Sequence, residues 1–181
     1  FRLPNVGEIS TSGLEIDLFG NPTDNLTLSG GIALIDAEID SWLGGACYAG
    51  QSEAAGCVAG TQNLSGGEVP NSPDLKLSMN ARYDIPMGSN MMFLTGSYRY
   101  QDEIQSNWNQ YPNSIVDSYG ILNLSVGYEV DNYSFEFFVR NAADKFYANN
   151  YTTGGLLGDQ QYLNHDHERL IGLNFKYSFG E

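Results

Sequence analysis

The chain has 181 residues, with 22 acidic against 8 basic side chains and a formal net charge of −14. That balance argues against a nucleic-acid partner, whose phosphates need a clustered basic face, and against a polybasic membrane-surface protein. By themselves, 12 tyrosines, 9 phenylalanines and 21 glycines with a mean hydropathy of −0.30 read as a soluble acidic β-domain, but that index is blind to membrane barrels, where lipid-facing and lumen-facing residues alternate and cancel. No run approaches the roughly 18 apolar residues of a membrane helix. Phe1-Arg2-Leu3-Pro4-Asn5 has neither the basic start nor the apolar stretch of a cleavable signal sequence, so none is expected.

Period-two alternation recurs along the chain and predicts strands rather than helices. Leu14, Ile16 and Leu18 alternate with Glu15 and Asp17. Leu26, Leu28, Ile32 and Leu34 alternate with Thr27, Ser29 and small residues. Leu75, Leu77, Met79, Ala81, Tyr83 and Ile85 alternate with Lys76, Ser78, Asn80, Arg82 and Asp84. Met92, Leu94, Tyr98 and Tyr100 alternate with Thr95, Ser97 and Arg99, and Leu122, Leu124, Val126 and Tyr128 with Asn123, Ser125 and Gly127. Tyr133, Phe135, Phe137 and Val139 oppose Ser134, Glu136, Phe138 and Arg140; last, Arg169, Ile171, Leu173, Phe175, Tyr177 and Phe179 oppose Leu170, Gly172, Asn174, Lys176 and Ser178. These seven stretches are longer than the usual ~5–6 residues of globular strands and close to the ~9–11 of a membrane-spanning strand.

The connections alternate strictly in length. Short links at 20–24, 86–90 and 131–132 separate long ones at roughly 42–68, 103–118 and 147–166, the asymmetry of outer-membrane barrels with the short side periplasmic. Phe19, Tyr83, Tyr128, Tyr133, Tyr177 and Phe179 lie beside short turns or the C-terminus; Trp42, Tyr100, Tyr119 and Phe146 lie at long-loop ends. Two such bands are expected to form interfacial girdles. The expected fold is therefore all-β, an antiparallel transmembrane β-barrel. Seven long strands make only part of a wall wide enough to carry polar side chains inside, and an open sheet would leave unpaired edges in hydrocarbon. The remaining strands are expected from elsewhere in the parent protein.

Several segments resemble the C-terminal barrel region of TonB-dependent outer-membrane receptors of the iron-complex type. Thr11 to Asp17 and Asp24 to Gly31 are similar to paired strands around a periplasmic turn, and Val69-Pro70-Asn71-Ser72-Pro73 to the segment leading into a strand. Ser118 to Leu124 resembles the following strand, and Phe138-Val139-Arg140-Asn141-Ala142-Ala143-Asp144-Lys145-Phe146-Tyr147 the "N-L-x-D-x-x-Y" segment near the end. The resemblance implies the last seven or so strands of a barrel of about 22, in a Gram-negative outer membrane with a periplasmic C-terminus. It implies an N-terminal plug with a TonB box, absent from residues 1–181, and TonB-coupled uptake of a scarce ligand such as a ferric siderophore. Implied partners are the rest of the receptor, the TonB complex, outer-membrane lipids and lipopolysaccharide, and a small-molecule ligand; no cofactor is expected. The chain departs from the pattern in carrying Gly180 and Glu181 after Phe179, where such barrels end on the aromatic itself.

Cys47 and Cys57, the two cysteines, lie in the longest loop and are expected to form a disulfide, as a surface location favours. His165 and His167 flank Asp166; in an extended segment both would share a face and offer a metal or ligand contact, against the plainer reading of a polar loop. Trp108, Asn109, Gln110 and Tyr111 in one loop, and Tyr147, Asn149, Asn150, Tyr151, Gln160, Gln161 and Tyr162 in another, suit neutral, polar or aromatic ligands, against ordinary surface loops. Acids at Asp36, Glu38, Asp40, Asp102 and Glu103 read as solvated charge. Sequons at Asn25, Asn63, Asn123, Asn132 and Asn150 read as chance. No nucleophile elbow, zinc-protease or phosphate-loop motif is present, so no enzyme is expected. The alternatives are a passive channel or adhesin barrel, and a soluble β-sandwich binding module.

Overall fold

A computed structural model describes residues 7–152 and 158–179. The signal-sequence reading at residues 1–5 and the terminal Gly180 and Glu181 lie outside the described residues.

Strands are numbered in chain order. β1 (Glu8–Thr23) and β2 (Leu26–Ser41) form a long hairpin. β3 (Gly45–Ala46) and β4 (Thr61–Gln62) pair within the first long loop. β5 (Leu75–Met87) and β6 (Asn90–Gln101) form the second hairpin, followed by the small pair β7 (Ile104–Gln105) and β8 (Ile115–Val116). β9 (Tyr119–Val130) and β10 (Tyr133–Arg140) form the third, then β11 (Ala148–Thr152) pairs with β12 (Gln160–Leu163) before β13 (Leu170–Tyr177). The seven long strands make one antiparallel sheet in the order β1-β2-β5-β6-β9-β10-β13, which is chain order, so each expected strand pairs with its neighbour in sequence. The three small hairpins all branch from the long-loop end of this sheet.

Directly paired residues on adjacent strands share a face, so the register sorts the wall. One column runs Leu18, Gly30, Met79, Tyr98 and Leu122; another runs Tyr83, Leu94, Val126, Phe137 and Leu173. Columns on the opposite face run Asp17, Gly31, Ser78 and Arg99, and Ser29, Asn80, Ser97 and Asn123. In these two columns the first face is apolar; on it Leu18 is 72% exposed and Leu173 79%, which a bilayer accommodates and water does not favour. The second face is laced by polar contacts, among them Thr95 Oγ1 to Ser125 Oγ at 2.6 Å and Asn123 Nδ2 donating to Ser97 Oγ at 3.1 Å. Two of its aromatics lie over glycines: a Cβ at Gly127 would meet the Phe93 ring, and one at Gly172 the Phe138 ring.

Among the described residues a cluster of buried apolar side chains lies above the wall. Ile39, Trp42 and Leu64 pack together with Val69 against them. Along β2 the alternation inverts after Leu34: Ile35 and Ile39 turn inward while Asp36, Glu38 and Asp40 fall on the outward side. A strand that spans a membrane and then continues into water must exchange its apolar side in this way.

Candidate ligand-binding face

Three excursions rise from the same end of the sheet: 42–74, 102–118 and 141–169. The first is stapled by the Cys47–Cys57 disulfide. It is bound to the second by both main chain and side chains. Asn71 N–H donates to the Gln105 carbonyl at 2.9 Å. The buried Gln62 donates through Nε2 to the carbonyls of Ala46 and Asn109. Gln110 brackets the backbone of one residue: its Nε2 donates to the Glu68 carbonyl at 2.8 Å and its Oε1 accepts from the Glu68 N–H at 3.3 Å. Trp108 meets Trp42 edge-on at 5.9 Å, and Tyr48 leans on Tyr111 at 5.2 Å. The first two loops are therefore one cross-braced unit.

The third excursion is fixed at its foot. Asn141, fully buried, takes φ +48, a left-handed conformation that Asn tolerates better than most residues. Its side chain exchanges hydrogen bonds with the backbone of Lys145, and its N–H donates to Asn123 Oδ1 on the wall. Asp144, at φ +55, accepts the Arg169 N–H at 2.8 Å. This ties the outgoing and returning chain together, and gives a physical reason for the Asn and Asp of the quoted 138–147 stretch.

Beside this foot, Arg99 Nη2 reaches from β6 to Tyr147 Oη at 2.6 Å and Asp166 Oδ2 at 3.3 Å. Tyr147 Oη donates to Asp166 Oδ1 at 2.5 Å and its ring stacks on Tyr119 at 4.5 Å. Burial alone would raise the Asp166 carboxyl, but the Tyr147 hydrogen bond and the Arg99 charge outweigh it and hold it below its ordinary value. Burial first, then the bond to Asp166, pushes the Tyr147 phenol up. Under this group the polar face forms an open concavity of about 480 Å³ lined by Glu15, Asp17, Lys76, Arg99, Gln101 and Tyr119.

Several sequence readings are corrected here. Phe19 pairs with Ser29 in an unbroken register, so it lies on the polar face with Asp17 and not in an apolar girdle. Trp42 is 8% exposed inside the loop cluster, its backbone N–H donating to Ser65 Oγ; it lies past the end of β2 and anchors the cap. Tyr119 pairs with Gln101 on the polar face. The remaining girdle residues Tyr83, Tyr100, Tyr128, Tyr133 and Tyr177 do fall on the apolar face by register, with Phe179 edge-on to Tyr177 at 4.4 Å. His165 and Asp166 form a turn, so the extended geometry that would align the two imidazoles is absent. His167 Nδ1 is engaged by the Asn164 carbonyl at 2.6 Å and its ring meets Phe146. Among the described residues no group of three His, Cys, Asp or Glu could hold a metal ion.

The loop residues divide by what they touch. Tyr111 Oη donates to Asp159, Tyr151 N–H donates to Ser106 Oγ, and Tyr151 Oη accepts from Gln161. Asn149 and Asn164 pair amide to amide. The Tyr111–Asp159 and Tyr151–Ser106 bonds join the second and third loops, and the other two brace the third loop internally. Trp108 and Tyr162 keep 42% and 55% of their surface open. Asn150 and Gln160 are half-buried on the β11–β12 hairpin, and Asn109 Oδ1 is buried with no protein partner among the described residues. Reading the sequence missed Arg99, Asp166 and Gln62 as organisers, because their partners are 11 to 67 residues away.

The TonB dependent receptor-like β-barrel family profile matches residues 1–142. A search of curated proteins finds no match. The fold is similar to that of the ferric yersiniabactin uptake receptor FyuA from Yersinia pestis, with TM-score 0.76 and 14% identity over 97% of this chain and 24% of that one. It is similar to the siderophore receptor PiuA from Acinetobacter baumannii, with TM-score 0.70 and 22% identity over 96% and 22%. BauA, the ferric preacinetobactin receptor from the same organism, gives 0.64 and 18% over 96% and 23%. The chain thus spans about a quarter of the length of these receptors. With its seven-stranded meander of one apolar and one polar face, the chain belongs to the TonB-dependent receptor-like β-barrel family.

Proposed function

We propose that this chain is the C-terminal part of an outer-membrane receptor of a Gram-negative bacterium that takes up a scarce ligand, such as a ferric siderophore or other iron complex, by TonB-coupled transport. The apolar face meets lipid and lipopolysaccharide, and the polar face lines the interior shared with a plug and the earlier strands. The short turns and the C-terminus lie on the periplasmic side. The chain supplies wall and extracellular loops, and no catalytic step.

The observation that carries this reading is the cross-braced group of three loops at one end of the sheet above a polar concavity. Such a rim captures ligand with fixed groups and little ordering cost on binding. The aromatic rings of Trp108 and Tyr162, and the half-buried Asn150 and Gln160, offer stacking and hydrogen bonding to a neutral or aromatic chelate.

The test uses the full receptor in its own host under iron limitation. A deletion strain is offered hydroxamate, catecholate and mixed-ligand ferric chelates in turn, and uptake of radiolabelled iron is followed with and without proton-motive force. The expected result is energy-dependent uptake of one class, lost on deletion and restored by the complete gene. Uptake of every class unchanged by deletion refutes the reading; uptake that persists after de-energisation points to a passive pore instead.

A further inference from the structure

Arg99 stands apart among the charged groups. Of the side-chain ion pairs among the described residues, Arg82–Asp84 and Arg82–Glu129 join wall to wall, and His167–Glu168 joins neighbours in one turn. Arg99–Asp166 alone joins the wall to a loop. The contact is shared: Tyr147 Oη lies between the two charges, accepting from Arg99 and donating to Asp166. Tyr147 is in turn held flat by Tyr119, one strand over from Arg99.

The guanidinium is used on one side only. Both recorded hydrogen bonds leave from Nη2, and among the described residues no acceptor meets Nε or Nη1. The side chain is 48% exposed and lines the concavity with Glu15, Asp17, Lys76 and Tyr119. A planar guanidinium presents five donors in a fixed fork. With Nη2 committed to the loop, Nε and Nη1 keep their donor capacity on a residue that borders the concavity.

We propose that Arg99 is a positioning residue at the mouth of this receptor, holding the last long loop through Tyr147 and Asp166 while its other N–H groups receive an oxygen-bearing ligand in the concavity. Ligand binding is thereby linked to loop position through one side chain. A bound carboxylate or deprotonated hydroxamate oxygen competes for the same charge that holds Asp166, and linkage of this kind is reciprocal. The inference rests on the uptake reading for its ligand, but not for the anchor.

The experiment places spin labels at Leu43→Cys and Gln161→Cys in the full-length receptor in outer-membrane vesicles and measures their separation. With Arg99 present the distance distribution is expected to be narrow. Arg99→Gln and Tyr147→Phe are expected to broaden it, and Arg99→Lys to restore most of it by keeping the charge on Asp166. In the same variants, binding of the ferric chelate class identified by uptake is expected to weaken about tenfold in Arg99→Gln, with the saturated energised transport rate unchanged. A split of this form separates positioning from a general folding defect.

An unchanged distance distribution in Arg99→Gln overturns the anchor. Unchanged chelate affinity in a variant with a broadened distribution overturns the link to ligand. If the wild type binds none of the three chelate classes, the uptake reading fails, and the label distances still decide the anchor. If Arg99→Gln fails to assemble, Asp166→Asn replaces it: a narrow distribution there overturns the anchor, a broad one supports it.

Discussion

Removing the Cys47–Cys57 disulfide is expected to loosen one part of the loop cap and leave the rest in place. The bridge closes a loop with a sequence separation of 10; the chain-entropy relation gives about 2.7 kcal/mol for that length, about a hundredfold in a local opening equilibrium. The backbone bonds inside the stapled region are short-range: Gln51 N–H to Tyr48, Ala55 N–H to Ser52, Gly56 N–H to Glu53 and Cys57 N–H to Ser52, with the reciprocal pair between Val58 and Thr61 just beyond the bridge. Those amides lack the support that Leu64, Gly66 and Ile39 receive from bonds beside the Trp42 cluster. In the Cys47→Ser/Cys57→Ser receptor, hydrogen exchange at Gly56, residue 57, Val58 and Thr61 should accelerate by up to about a hundredfold. Exchange at Ile39, Leu64 and Gly66 should change little. Mass spectrometry with peptide separation reads both sets in one sample. Equal acceleration at both sets would show that the staple supports the whole cap, and no acceleration at 56–61 would show that the loop is held without it; either refutes the reasoning.

Gln110→Ala removes two hydrogen bonds to the Glu68 backbone and should cost about 1–2 kcal/mol locally, seen as faster exchange at Glu68 N–H and new protease cleavage in the first loop. Gln110→Glu, which keeps the acceptor and loses the donor, should fall between. Asp166 is held below its ordinary carboxyl value of 3.8 in the folded chain, so its contribution is fully present above that value and is lost as pH falls through the depressed one. The third loop should therefore keep its protease resistance to pH 4 and lose it in more acid buffer, and Asp166→Asn should abolish that dependence. Leu173→Arg, on the apolar face, should impair membrane assembly by about 2–4 kcal/mol, while Asn174→Arg next to it should be tolerated. Comparable heat-modifiable mobility of the two variants on gels would show that the faces are misassigned.

The seven wall strands and their antiparallel order were legible in the sequence, because a half-buried strand repeats every two residues whatever it pairs with. The sorting of Tyr83, Tyr128, Tyr133 and Tyr177 onto the apolar face was legible for the same reason. Phe19 follows the same rule: parity with Glu15 and Asp17 places it on the polar face, whatever its residue type and strand-end position suggest. Tyr119 likewise shares parity with Asn123 and Ser125 and so faces the polar side, whereas Trp42 lies past the end of β2, where the periodic constraint ends.

What the sequence by itself determined is the wall: length of strand, alternation of faces, and the short-turn and long-loop asymmetry, all local properties of a pleated chain in two solvents. What only the tertiary structure decided is the rim. Gln62 meets Asn109, Gln110 meets Glu68, Arg99 meets Asp166 and Tyr111 meets Asp159 across 42 to 67 residues. These are single polar contacts, each worth little and none periodic, so no pattern along the chain announces them. They form because the antiparallel meander returns every loop to the same end of the sheet, and there the amide and aromatic side chains that looked like free ligand groups largely satisfy one another.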